Sequence, residues 1–190
     1  MNTLIKSAVD SYPEWFEQRY LWQYHHTFFL TVKFAPLPGP AKAKQKQMEE
    51  EIQRLYAIIL SRCYRRPRNI LGFELPLWVG CPDLPIAKRK KSRIEDTQIN
   101  GGLHYHCMVS QPSKTRLDCA FSDYIDLNKA MLIGTDSKIS HLHCTLVDFK
   151  DIRRACGYAL KSITRRRADS DDILILPHAG SEIRNSYQTS

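Results

Sequence analysis

Between residues 27 and 34 the chain reads Thr-Phe-Phe-Leu-Thr-Val-Lys-Phe, a β-branched and aromatic run of strand length. Pro36, Pro38, Gly39 and Pro40 close it. From 42 to 64 the period changes. Met48, Ile52, Leu55, Ile59 and Cys63 recur at helical spacing and predict a long amphipathic helix that Pro67 stops. A second strand is expected over 69–75. A third, over 103–110, follows Gly101-Gly102, a helix spans 117–131, and a fourth strand spans 139–147. From 148 to 164 helical spacing returns: Phe149, Ile152, Cys156, Ala159, Leu160 and Ile163 share one apolar face. Asp148 suits its N-cap, and Asp151 three residues on echoes a capping box. The polar stretch 165–172 ends this helix, and 173–176 predicts a short last strand. Upstream, the aromatic-rich segment 13–24 predicts a helix opening at Pro13.

This order of strands and helices mixes hairpin and crossover connections. It predicts a single α+β domain with a central antiparallel β-sheet flanked by helices. Residues 1–26 form an N-terminal helical extension, 27–176 the domain proper, and 177–190 a flexible tail. Within the domain, 80–101 is expected to be an exposed basic loop insertion. Pro82, Pro85 and the run Lys88-Arg89-Lys90-Lys91-Ser92-Arg93 cannot pack in a core.

Composition narrows the class. Hydrophobic residues make up 43% of the 190, enough for a core, which excludes collagen-like and wholly disordered chains. The formal charge of +8 and the pI near 9.2 favour a polyanionic partner. No apolar run approaches the ~20 residues of a membrane span, and residues 1–10 lack the long apolar centre of a signal peptide, so a cytoplasmic protein is expected. The six cysteines are scattered with no CxxC pair. In a reducing compartment they read as free and mostly buried. No phosphate-binding GxxxxGK[ST] loop occurs.

Candidate chemistry lies in three places. In a strand, side chains two apart share a face, so His104 and His106 project together while Tyr105, Cys107 and Val109 face the opposite side. Two imidazoles so placed can bind one divalent ion. His141-Leu142-His143-Cys144 repeats the pattern, but both cysteines would point away from the histidines, which disfavours an all-ligand zinc box. On the helix after Asp148, Tyr158 falls opposite the apolar stripe, in the sector of Arg154, Lys161 and Arg165. A phenol displayed among cations is available as a nucleophile, because nearby positive charge favours the phenolate. Taken singly, a bare HxH is more often a pair of surface histidines, and a tyrosine on a basic helix face is more often ordinary.

Together, Gly101-Gly102-Leu103-His104-Tyr105-His106-Cys107-Met108-Val109 and, some fifty residues on, Tyr158-Ala159-Leu160-Lys161 resemble the HUH endonuclease superfamily. The resemblance is to single-tyrosine replication initiators of the rolling-circle (Rep) type, with a metal-binding HxH strand followed by a YxxK helix. The strand around Phe29-Leu30-Thr31-Val32 looks like the family's first motif, and the resemblance covers about residues 27–165. It implies an RRM/ferredoxin-like nuclease topology and one Mg²⁺ or Mn²⁺ held by His104, His106 and a Glu on the preceding strand, which maps to Glu74. It also implies Tyr158 as nucleophile and Lys161 as its helper. The activity so implied is site-specific nicking and rejoining of single-stranded DNA through a 5′-phosphotyrosine, initiating rolling-circle replication of a plasmid or phage. The partners implied are single-stranded DNA or an origin hairpin, with a host helicase and polymerase. The departures are Tyr105 inside the HxH and the second HxH at His141 and His143. Arg154, Arg165, Lys88, Arg89, Lys90 and Lys91 are candidate phosphate contacts, with Arg65, Arg66 and Arg68 as a further basic group. Tyr20, Trp22 and Tyr24 are able to stack bases or to pack the N-terminal helix. Two alternatives stay open: an HUH transposase or mobilisation relaxase, and a non-catalytic nucleic-acid-binding domain, zinc-stabilised or not.

Overall fold

A computed structural model describes residues 3–83, 99–165 and 167–178. Helix α1 (Thr3–Gln23) leads directly into strand β1 (His25–Phe34), and helix α2 (Ala41–Cys63) follows the Pro-rich turn. Strands β2 (Leu77–Asp83) and β3 (His104–Pro112) come next, then short helices α3 (Phe121–Leu127) and α4 (Lys129–Ile133). Strand β4 (Ile139–Val147), helices α5 (Ile152–Ala159) and α6 (Lys161–Thr164), and strand β5 (Leu174–Leu176) are the last described elements. The five strands form one sheet in the order β4-β1-β3-β2-β5, and every neighbouring pair is antiparallel. The α+β architecture with a flanked antiparallel sheet is as expected.

Strand alternation divides the apolar residues between two faces. On one, Phe28, Leu30 and Val32 of β1 with Tyr105, Cys107 and Val109 of β3 pack against Met48, Ile52, Leu55 and Ile59 of α2 and against Phe121 and Ile125 of α3. On the other, Val79 and Cys81 of β2 and Met108 of β3 pack beneath Phe16 of α1 and beneath Ile152, Cys156 and Ala159 of α5. Each such side chain stabilises the fold by roughly 1.5–3 kcal/mol on leaving water. Helix α1 is thus one of the layers on the sheet, and Pro13, expected to open it, lies inside it. Five of the cysteines are buried and free, with Cys119 free and exposed.

The second strand is the main correction. Residues 69–75 are not a strand: the segment folds as two 3-10 turns, Pro67–Asn69 and Gly72–Glu74, leaving Leu71 and Phe73 exposed. The strand begins after Pro76, and all seven of its residues are buried. Burial on both faces erases the alternation that marks a strand, and Gly80 and Pro82 read as loop residues. Both have a structural reason. A Cβ at Gly80 would lie 2.5 Å from Cys107 Sγ. Among the described residues β5 pairs only with Trp78, Val79 and Gly80, so Pro82 lies beyond that pairing, where a missing N–H is tolerated. Of the expected loop 80–101, residues 80–83 are thus strand and 99–101 belong to a 3-10 turn, while Lys88, Arg89, Lys90 and Lys91 lie outside the described residues, as does the tail from 179 on.

Two helices also differ in detail. The expected helix over 117–131 is α3 and α4, divided at Asn128, whose side-chain amide donates to the Tyr124 carbonyl at 2.9 Å. The helix over 148–164 opens as a 3-10 turn, Phe149–Asp151, and breaks at Leu160. Asp148 makes no side-chain cap; Asp151 instead pairs with Arg154 at 3.2 Å. The fourth strand, 139–147, lies where the alternation placed it. Among the described residues, no helix is long and apolar enough to cross a membrane.

Candidate metal centre and the tyrosine beside it

Antiparallel pairing sets the site. In the β2–β3 ladder Asp83 stands opposite His104, and Cys81 opposite His106. Directly opposed residues share a face of the sheet, so Asp83, His104 and His106 converge. Asp83 and His106 are buried, and His104 is half-buried. The two Nε2 atoms are 3.0 Å apart, and Asp83 Oδ2 is 3.5 Å from each. These separations match the edges of a coordination polyhedron: bonds of about 2.1 Å place neighbouring ligands roughly 3.0–3.4 Å apart. Asp83 Oδ2 is also buried without a well-directed hydrogen bond, although Lys161 Nζ sits 2.7 Å from it. Distance and donor chemistry agree that Asp83, His104 and His106 could hold a metal ion.

Surrounding groups orient the donors. His104 Nδ1 lies 2.9 Å from the Gly102 carbonyl, which can only accept, so Nδ1 carries the hydrogen and the neutral ring presents its Nε2 lone pair inward. His106 Nδ1 lies 3.1 Å from Thr31 Oγ1, on the neighbouring strand β1. The Ser162 hydroxyl donates to Asp83 Oδ1 at 2.8 Å. Burial alone would push the Asp83 carboxyl up; the close approach of His106 and Lys161, the hydrogen bond from Ser162 and the Lys161 charge outweigh it and hold the group well below the usual carboxylate range. Burial disfavours the His106 imidazolium, and although Asp83 opposes this, the net movement is downward from 6.5. Both shifts favour the deprotonated forms that bind metal.

Tyr158 comes to the same place from α5. Its ring is half exposed, 5.2 Å between centroids from His106 and 5.7 Å from Phe29. Lys161, first residue of α6, lies with Nζ 3.8 Å from the centre of the Tyr158 ring. One ammonium therefore contacts both the carboxylate of the cluster and the face of the phenol. A hollow of about 450 Å³ opens beside Tyr158, lined among others by Phe29, Leu146 and Arg154.

Of the expected site residues, the structure brings His104, His106, Tyr158 and Lys161 together. Arg154 lines the adjoining hollow, and Arg165 is exposed at the end of α6. Glu74 is the correction. It lies exposed on a 3-10 turn ahead of β2, and the carboxylate beside the histidines is that of Asp83. The misplaced second strand carried the error. A strand drawn over the apolar run from Leu77 would have ended on Asp83, opposite the HxH strand. His141 and His143 are exposed on the edge strand β4, with β1 lying between them and β3. Comparison with protein-family models, with curated proteins and with solved structures finds no match.

Proposed function

We propose that this protein is a metal-dependent endonuclease that nicks and rejoins single-stranded DNA at a specific site, through a covalent tyrosine intermediate. The observation that carries the reading is the meeting of Tyr158, Lys161 and the Asp83–His104–His106 group on one face of the sheet, with the Tyr158 ring 5.2 Å from that of His106. A nucleophile, a cation and a ligand set within reach of one phosphate make up the inventory that phosphodiester transesterification needs.

In the proposed reaction Tyr158 Oη attacks the scissile phosphorus and gives up its proton. The P–O3′ bond breaks, and the 3′ oxygen leaves as a hydroxyl on taking up a proton. The 5′ phosphate remains esterified to Tyr158, so phosphodiester energy is conserved and the reverse attack by a 3′-hydroxyl rejoins the strand without ATP. Asp83, His104 and His106 would hold one Mn²⁺ or Mg²⁺, a mixed nitrogen and oxygen set that suits Mn²⁺. A bound divalent ion supplies Lewis-acid charge to the phosphate. Lys161 keeps positive charge between carboxylate and phenol, where the phosphate's charge must be met. Such a reaction suits initiation of rolling-circle replication, the free 3′ end serving as primer for a host polymerase.

The reading is tested by incubating the protein with a pool of labelled single-stranded oligodeoxynucleotides and Mn²⁺. A denaturant-resistant adduct is expected that EDTA suppresses and that Tyr158→Phe lowers by at least about a thousandfold, as loss of a nucleophile does. No adduct with any member of the pool, or an adduct indifferent to Tyr158→Phe, would refute it.

A further inference from the structure

The end of the sheet remote from Asp83 carries a second concave surface that nicking chemistry does not use. His25 of β1 pairs there with Pro112 of β3, each six residues from the Thr31–His106 pair, or ~20 Å at about 3.3 Å per residue. A hollow of about 770 Å³ opens at the end of α1, lined by Trp22, Tyr24, Tyr64 and Phe73 among others. A second, of about 560 Å³, adjoins it: the two share Tyr64, Ile70 and Lys114, and the second adds Arg65, Arg66 and Arg116.

Its aromatic side is unusual for a folded surface. Trp22 and Tyr24 are each 79% exposed and Phe73 52%, so three large rings stand together in water. Tyr24 also adopts φ 53°, the left-handed region that a bulky residue enters only at a cost. Its carbonyl accepts hydrogen bonds from the backbone N–H and the hydroxyl of Ser113, which tie this turn to the loop after β3. The cationic side is equally available. Among the described residues, no ion pair engages Arg65, Arg66, Lys114 or Arg116. Among the described residues, Glu74 is the single acidic side chain lining either hollow, and it offers an acceptor to a base amino group.

Rings alone would suit any apolar partner, and cations alone any polyanion. Flat exposed rings bordered by unpaired guanidinium and ammonium groups match a ligand that presents π-faces and phosphates side by side. A duplex keeps its base faces stacked and offers mainly phosphates; an unpaired strand offers both. We propose that this groove binds single-stranded nucleic acid, its bases stacked on Trp22, Tyr24 and Phe73 and its phosphates held by Arg65, Arg66 and Lys114. The inference shares with the nicking proposal only the class of ligand and needs neither Tyr158 nor a metal. Where both hold, the groove anchors the strand ~20 Å from the reacting phosphate.

Fluorescence anisotropy of a labelled oligodeoxythymidylate of roughly 16 nucleotides tests it, with the full chain in EDTA so that no adduct forms. Trp22→Ala combined with Phe73→Ala is expected to weaken binding at least about fivefold, while Trp22→Phe combined with Phe73→Tyr keeps it. Arg65→Ala combined with Arg66→Ala, both on an exposed turn, should reduce the slope of log affinity against log salt by about 1.4, from ~0.7 per single-strand phosphate. A loss smaller than about fivefold in the aromatic pair, or an unchanged salt slope in the arginine pair, overturns the proposal. So does binding of anionic lipid vesicles with none of the oligonucleotide. An adduct formed by the wild-type chain with unchanged binding in the groove variants would refute this inference and leave nicking intact. Groove-dependent binding with no adduct from any sequence would do the reverse.

Discussion

His104-Tyr105-His106-Cys107 and His141-Leu142-His143-Cys144 are the same tetrad in outline, and their histidines project to the same face of the same sheet. Their surroundings differ. The first lies on β3, at the centre, where β2 sets Asp83 opposite His104, β1 sets Thr31 beside His106, and α5 brings Tyr158 over the top. The second lies on the edge strand β4, where the residue opposite His141 is Lys33. There partial desolvation and the charges of Lys129 and Lys33 outweigh that of Asp126 and disfavour the imidazolium of His141, and the same lysine charges repel any other cation. A pair of histidines becomes a candidate metal site through what the neighbouring strand sets opposite it: a carboxylate at one tetrad, an ammonium at the other.

The largest expected effect separates the tetrads directly. His104→Ala combined with His106→Ala should lower Mn²⁺ affinity, read by calorimetry, by more than about a hundredfold, beyond the ten- to hundredfold that loss of an outer partner costs. His141→Ala combined with His143→Ala should leave affinity unchanged; a loss there would reverse the assignment. Next in size is the support from β1. Thr31→Val removes the hydroxyl beside His106 Nδ1 and should weaken Mn²⁺ binding by about tenfold.

How far each part of this picture was legible depended on burial. β4 read correctly because it is half-buried: Leu142 and Cys144 face the core while His141, His143 and Thr145 face water, so polarity alternates. β2 has no such signature, since Leu77 through Asp83 are buried on both faces and the run contains Gly80 and Pro82. That one shift moved the carboxylate from Asp83 to Glu74. The HxH strand and the Tyr158 face of α5 were legible because each separates apolar from polar residues at its own period. Thr31 and Ser162 were not, because their roles arise from long-range pairing that local pattern does not encode.

A smaller effect concerns acid stability. Asp83 is held below the 3.8 of an unfolded carboxyl, so as pH falls the unfolded chain takes up the proton first. The contribution of Asp83 is complete well above pH 3.8 and drains away as the pH drops through that value and on toward the lower folded one. His106, moved down from 6.5, acts in the same direction: its contribution is present above pH 6.5 and is lost as pH falls. Thermal melts without metal from neutral pH down to about pH 2 should therefore show an acid limb whose part below pH 4 is shallowed by Asp83→Asn and left in place by His143→Gln. A limb unaltered by Asp83→Asn would contradict the ion-pair account of the cluster. The smallest effect is a gain. Lys33→Asp puts a carboxylate opposite His141, as Asp83 stands opposite His104, and should add a second, weaker Mn²⁺ to the calorimetric stoichiometry. A stoichiometry that stays at one would show that burial, more than the opposing carboxylate, distinguishes the tetrads.

Mass mapping of the covalent adduct reaches the central claim most directly. After reaction of the wild-type chain with single-stranded DNA and Mn²⁺, nuclease trimming and tryptic digestion, the peptide containing Tyr158 should carry the mass of a 5′-linked nucleotide, and the released strand should end in a free 3′-hydroxyl. Modification of a different tyrosine, or a cut strand with no nucleotide left on the protein, would contradict the account.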